Sequence, residues 1–167
     1  DITIGESLQT KMIKLITSIF LITFTYSVFA DDINNSIEKN SKIFEKVALE
    51  IWDFAELGYL ENKSSNLLAD TLKENGFKIT TGLAGIPTSF IAEFNNGGPV
   101  IAILGEFDAL PGLSQTTSPF KEVAINETNA GHACGHHLFG ASSAWAAVAV
   151  KDWILKQMIN LWPGASW

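Results

Sequence analysis

The chain has one cysteine, so no disulfide can close within it. It has three histidines, and all three stand beside that cysteine. Basic residues never gather into a run, and the net charge is -7. A surface that tracks a nucleic-acid backbone needs such a run, so nucleic acid is not an expected partner. Charged residues make up only 17% of the chain against 47% hydrophobic ones. A disordered chain reverses that balance, so a folded core is expected. Neither an internal repeat nor a low-complexity tract is present, and 167 residues suit one domain with a sizeable core. The mild acidity favours solubility.

An apolar run long enough to span a bilayer is also missing. The run over 15–30 (LITSIFLITFTYSVFA) falls short of the roughly 20 apolar residues that a span needs. It follows Met12 and Lys14, ends in Val28-Phe29-Ala30, and gives way to Asp31-Asp32. Start, apolar centre and small-residue cleavage site in that order read as a secretory signal peptide over 12–30. The expectation is an exported protein, periplasmic or secreted, with no stable membrane anchor. Residues 1–11 then read as translated sequence upstream of the start, and 31–167 as the folded part. In an oxidising compartment an unpaired cysteine must be buried, reactive or bound to metal.

Apolar residues at helical spacing (Ile33, Ile37, Phe44, Val47, Ala48, Ile51, Phe54) predict a helix over 33–57, stopped by Gly58. A second helix is predicted over 64–75, capped by Ser64 or Ser65 and ended by Gly76. Short strands are predicted over 77–80 and 88–94. The turn Asn95-Asn96-Gly97-Gly98 joins the latter to a third strand over 100–104. That third run, Val-Ile-Ala-Ile-Leu, is apolar without alternation, which predicts a central strand covered on both faces. Residues 112–129 form a long polar loop, and 138–158 an alanine-rich buried helix. The class is α/β.

Chemistry concentrates in two places. Gly105-Glu106-Phe107-Asp108-Ala109-Leu110-Pro111 sets two carboxylates just after the apolar run, where open α/β sheets place ligands. A solvated turn with ordinary acids is the alternative. Gly131-His132-Ala133-Cys134-Gly135-His136-His137 gathers a thiol and three imidazoles at the entry to a helix. Thiolate and imidazole suit zinc, cobalt and related ions, and a helix N-terminus favours the thiolate. Cys134 and His136 are the candidate ligands, with His132 and His137 in supporting positions. A Cys–His nucleophilic pair is the rival chemistry, although such partners normally lie far apart in sequence. A small buried cysteine with loop histidines is the remaining alternative.

The motif at 131–136 resembles that of the aminoacylase and carboxypeptidase family of two-metal peptidases, in its amidohydrolase subfamily. Ala55-Glu56-Leu57-Gly58-Tyr59 with Glu61 is similar to the family's Pro-Glu-Leu-Gly-Phe segment. Gly105 to Pro111 is similar to its Asp-x-Asp-Ala-Leu-Pro strand end. Gly-Leu-Ser-Gln at 112–115, Ala-Gly-Ile-Pro-Thr at 84–88 and Gly-His-His at 135–137 most resemble the aminobenzoyl-glutamate hydrolase branch. The resemblance implies a zinc-peptidase-like α/β/α catalytic domain that cleaves N-acyl amino acids with two divalent ions, zinc, manganese or cobalt. It makes Cys134 the bridge between the ions, His136 a ligand to one, and Asp108 a support of the metal site. Glu106 falls on the first acid of the pattern and reads as supporting. A homodimer is compatible with the intact enzyme.

The family also uses a Glu-Glu pair, including its general base, and two further histidines downstream of the last helix. No histidine follows His137 and no acidic residue follows Asp152. The expectation is therefore an N-terminal part of a longer enzyme, inactive alone and binding metal weakly. A secreted metal-binding module without catalysis, or a truncated reading frame with no function, are the other readings.

Overall fold

The computed structural model describes residues 8–95, 97–125 and 128–161. Assignments for 1–7 and 162–167 lie outside them. In chain order the elements are α1 (Leu8–Phe54), α2 (Asn62–Glu74), β1 (Lys78–Thr81), a 3-10 turn (Leu83–Gly85), β2 (Phe90–Glu93), β3 (Leu110–Pro111), β4 (Ala130–Gly131) and α3 (His136–Leu161). This mixture of helices and short sheets keeps the expected α/β class.

The core lies where α1, α2 and α3 meet. Phe44, Val47, Ala48 and Ile51 recur at helical spacing along α1 and face Ala141, Ala144 and Val148 of α3. Leu68 and Leu72 of α2 close the third side, with Phe77 beyond. Trp145 stacks on Phe44 with ring centroids 5.8 Å apart. Phe44, Ile51, Leu68 and Val148 are almost fully buried, and each such side chain contributes roughly 1.5–3 kcal/mol. Polar contacts join α1 to α3 further along: Ser36 Oγ donates to Asp152 Oδ2 at 2.7 Å, and Lys156 pairs with Asp32.

Three expectations are corrected. First, α1 starts far upstream of residue 33 and takes in the apolar leader. It ends at Phe54, before Gly58, because Ala55 adopts a left-handed φ of 41°. Among the described residues, no helix is long and apolar enough to cross a membrane. Second, neither Ser64 nor Ser65 caps α2. Glu56, upstream, accepts the backbone N–H of Lys63 and Ser64 at 3.0 and 2.9 Å. This satisfies donors that the first helical turn leaves open. Gly76, at φ 84°, ends the helix as expected.

Third, residues 100–104 form no strand. β2 pairs instead with β1, antiparallel, in the register Lys78↔Glu93 to Thr81↔Phe90. Val100 is 97% exposed and Ile101 81%. An unbroken apolar run specifies covered faces, but strand formation needs a ladder partner. None of the described strands supplies one here.

Candidate metal centre

Three short segments converge beyond the end of α1. Ala109 N–H donates to Glu56 O at 2.7 Å, and Leu57 bridges Ala109 in parallel. Thr128 Oγ1 donates to Ala55 O at 2.9 Å, and β3 pairs with β4 through Leu110↔Gly131 and Pro111↔Ala130. Ala55, Ala109 and Ala130 form a second, small core. Gly131 is pressed against the loop that follows β3, and a Cβ there would overlap the Leu113 carbonyl. This is a close backbone approach that only glycine permits.

The chain then turns sharply. Gly135, at φ 74°, donates its N–H to His132 O at 2.9 Å. Its carbonyl accepts from Leu138 and Phe139 and so begins α3. His136 is the first residue of that helix. His136, Gly140 and Ser143 are spaced four and three apart and share one face. Residues 104–108 run along it. A Cβ at Gly140 would stand 3.0 Å from Glu106 O, and one at Gly105 3.1 Å from Ser143 Cβ. Ser143 Oγ donates to Leu104 O at 2.7 Å. The small residues let the helix lie close enough for both carboxylates to reach the imidazole. Gly140 and Ser143 belong to no motif named for the sequence, although their spacing from His136 was visible in it.

At the end of this contact His136 Nδ1 lies 2.7 Å from Asp108 Oδ1, and its Nε2 3.3 Å from Glu106 Oε2. One donor atom from each residue falls within 4.8 Å of the others. An ionised Asp108 can only accept, so Nδ1 carries the proton. With Nδ1 so held, Nε2 is the ring atom that would offer its lone pair to a bound ion, on the side of Glu106. Carboxylate oxygens and an imidazole nitrogen fit a divalent ion such as zinc, manganese or cobalt. The Glu106 side chain is 52% exposed, so the group opens to solvent on that side.

The structure thus joins Asp108 and His136 with Glu106, which from sequence read only as supporting. Cys134 stands exposed at the turn, outside this group of three. His132 and His137 also stay outside it. His132 is only 5% exposed, and its Nε2 donates to Ile51 O at 2.9 Å. Burial lowers its pKa below the usual 6.5; the Ile51 carbonyl opposes this and the neighbouring His136 adds to it. His137 is lowered by burial and then by His132. Its ring meets Trp52 edge-on at 4.9 Å and lies 5.0 Å from His132. These two rings tie the turn to the last turn of α1.

Known proteins share this stretch of chain. It is 41% identical over 122 residues to a subunit of p-aminobenzoyl-glutamate hydrolase from Escherichia coli, a match covering 73% of this chain and 25% of that one. The chain belongs to the amidohydrolase and carboxypeptidase family. Thermostable carboxypeptidase 1 of Saccharolobus solfataricus is 28% identical over 129 residues, covering 74% of this chain and 32% of its own length. Hippurate hydrolase of Campylobacter jejuni is 29% identical over 119 residues, covering 71% and 30%. No protein-family model matches. The chain therefore spans about a quarter to a third of the length of these family members.

Proposed function

We propose that this chain supplies the metal-holding part of an amidohydrolase that cleaves the amide bond of N-acyl amino acids, with substrates resembling aminobenzoyl-glutamate. The convergence of Glu106, Asp108 and His136 carries the reading. His136, through Nε2, and Glu106 would hold a divalent ion. Asp108 keeps the proton on Nδ1 and stops the ring from turning, as carboxylates behind metal-bound histidines do. Cys134 is the further candidate ligand, for a second ion. A bound ion lowers the pKa of its water and polarises the amide carbonyl. The chain alone is expected to be inactive, so the test is binding: zinc or cobalt uptake by the purified protein should be reversed by chelator and lost in His136→Ala. Uptake that survives His136→Ala would reject the metal centre.

A second reading is metal binding without catalysis. One observation favours it: both acids of the group face His136, and among the described residues no third acid joins them to take a proton from water. Tight, stoichiometric zinc uptake that is lost in Cys134→Ser, with no binding of an N-acyl amino acid, would decide for this reading.

Export is proposed on the leader at 12–30. Mass spectrometry of the secreted protein should find Asp31 as its first residue; retention of the leader would contradict export by this route. The Escherichia coli relative is named as a subunit, which supports assembly of the whole enzyme from more than one chain.

A further inference from the structure

Glu61 stands at the start of α2 and is only 8% exposed, yet its side chain does not cap that helix. The Glu56 carboxylate has taken that task. Glu61 Oε2 instead accepts from Thr88 Oγ1 at 2.6 Å. Thr88 is buried as well, and its carbonyl accepts from Ser65 Oγ at 2.7 Å. The Ser65 N–H returns to Glu61 O at 2.9 Å. This ring of contacts among buried groups holds the Glu61 carboxylate in one orientation.

The other oxygen, Oε1, accepts from no described residue. It stands 3.8 Å from the place that a Cβ on Gly58 would take, and Asp108 Oδ2 stands 3.9 Å from the same place. Asp108 Oδ1 is engaged with His136, so Oδ2 is the oxygen left for this side. Glu61 lies outside the group formed by Glu106, Asp108 and His136, one layer further out.

A buried carboxylate is costly unless a positive charge compensates it. Among the described residues no lysine or histidine pairs with Glu61. The ionisable neighbour across Gly58, Asp108, is another acid. That acid belongs to the group whose donor atoms suit a divalent ion.

We propose that Glu61 is a buried counter-charge to the ion of the metal centre, a positioning residue that acts from behind Asp108 and not as a ligand. The proposal rests on the metal-centre reading and extends it by one residue. Without an ion the two carboxylates repel each other across Gly58; with an ion at Asp108 both are drawn to it. The Glu61 charge therefore works in opposite directions in the two states. It weakens the metal-free fold and strengthens binding of the ion. A residue kept only for its packing and its bond to Thr88 would do neither, because glutamine has the same shape and also accepts from Thr88.

The full chain is titrated with cobalt(II) against a chromogenic chelator as wild type, Glu61→Gln and His136→Ala, and the metal-free proteins are melted. Glu61→Gln should bind cobalt roughly three- to tenfold more weakly, less than the loss of a carboxylate in direct contact with a ligand. Its visible band should keep the wild-type position, since the ligands are the same. Its metal-free melting temperature should equal or exceed that of the wild type. Equal cobalt affinity in Glu61→Gln, a displaced band, or a lower metal-free melting temperature would each overturn the counter-charge. Uptake lost in His136→Ala but unchanged in Glu61→Gln would reject Glu61 and keep the metal centre. No uptake by the wild type, or full uptake by His136→Ala, would reject the centre and the proposal with it.

Discussion

The molecule has two cores of opposite character. One is made of volume: Phe44, Ile51, Leu68 and Val148 interlock where three helices meet. The other is made of near-absence of volume: Ala55, Ala109 and Ala130, with Gly131 and Gly140 beside them, let backbones touch. The first holds the helices together. The second brings the acids after residue 104 to the histidine that opens α3. Stability and site geometry therefore depend on different residues, and substitutions should separate them.

The largest expected loss of stability is in the bulky core. Phe44→Ala should cost about 3–5 kcal/mol in a urea or thermal melt. Metal affinity per folded molecule should be unchanged, because no ligand is near that side chain. Gly131→Ala should cost less, about 1–3 kcal/mol from overpacking, yet abolish metal uptake as the turn shifts off Leu113. If Gly131→Ala kept full metal affinity, the two cores would not be separable in this way. Ser143→Ala removes one hydrogen bond to Leu104 O and should cost about 1 kcal/mol, with a modest fall in metal affinity. Asp108→Asn removes the charge facing His136 Nδ1 and should cost about 0.5–1.5 kcal/mol while weakening metal binding roughly 10–100-fold, read by competition with a chromogenic chelator.

The bulky core was legible in the sequence, the second core only by half. Repeats of three and four in 44–51 and 67–72 are local, so both helices could be placed there from spacing alone. His136 and Asp108 were found through motif chemistry. The closeness of Glu106 to His136 was not, because it depends on Gly140 and Ser143 lying on one face of α3, a tertiary fact. The run over 100–104 misled for a related reason. Its composition states a preference for burial, while strand formation depends on a partner that composition does not reveal. The cap of α2 by Glu56 was hidden in the same way, since the side chain comes from outside the helix.

That Glu106, Asp108 and His136 form a metal centre is tested most directly by a cobalt(II) titration of the full chain, read by visible absorption and repeated on His136→Ala. A saturating band in the wild type that disappears in His136→Ala is the expected result. A band of equal intensity in both proteins, or none in the wild type, would contradict the assignment.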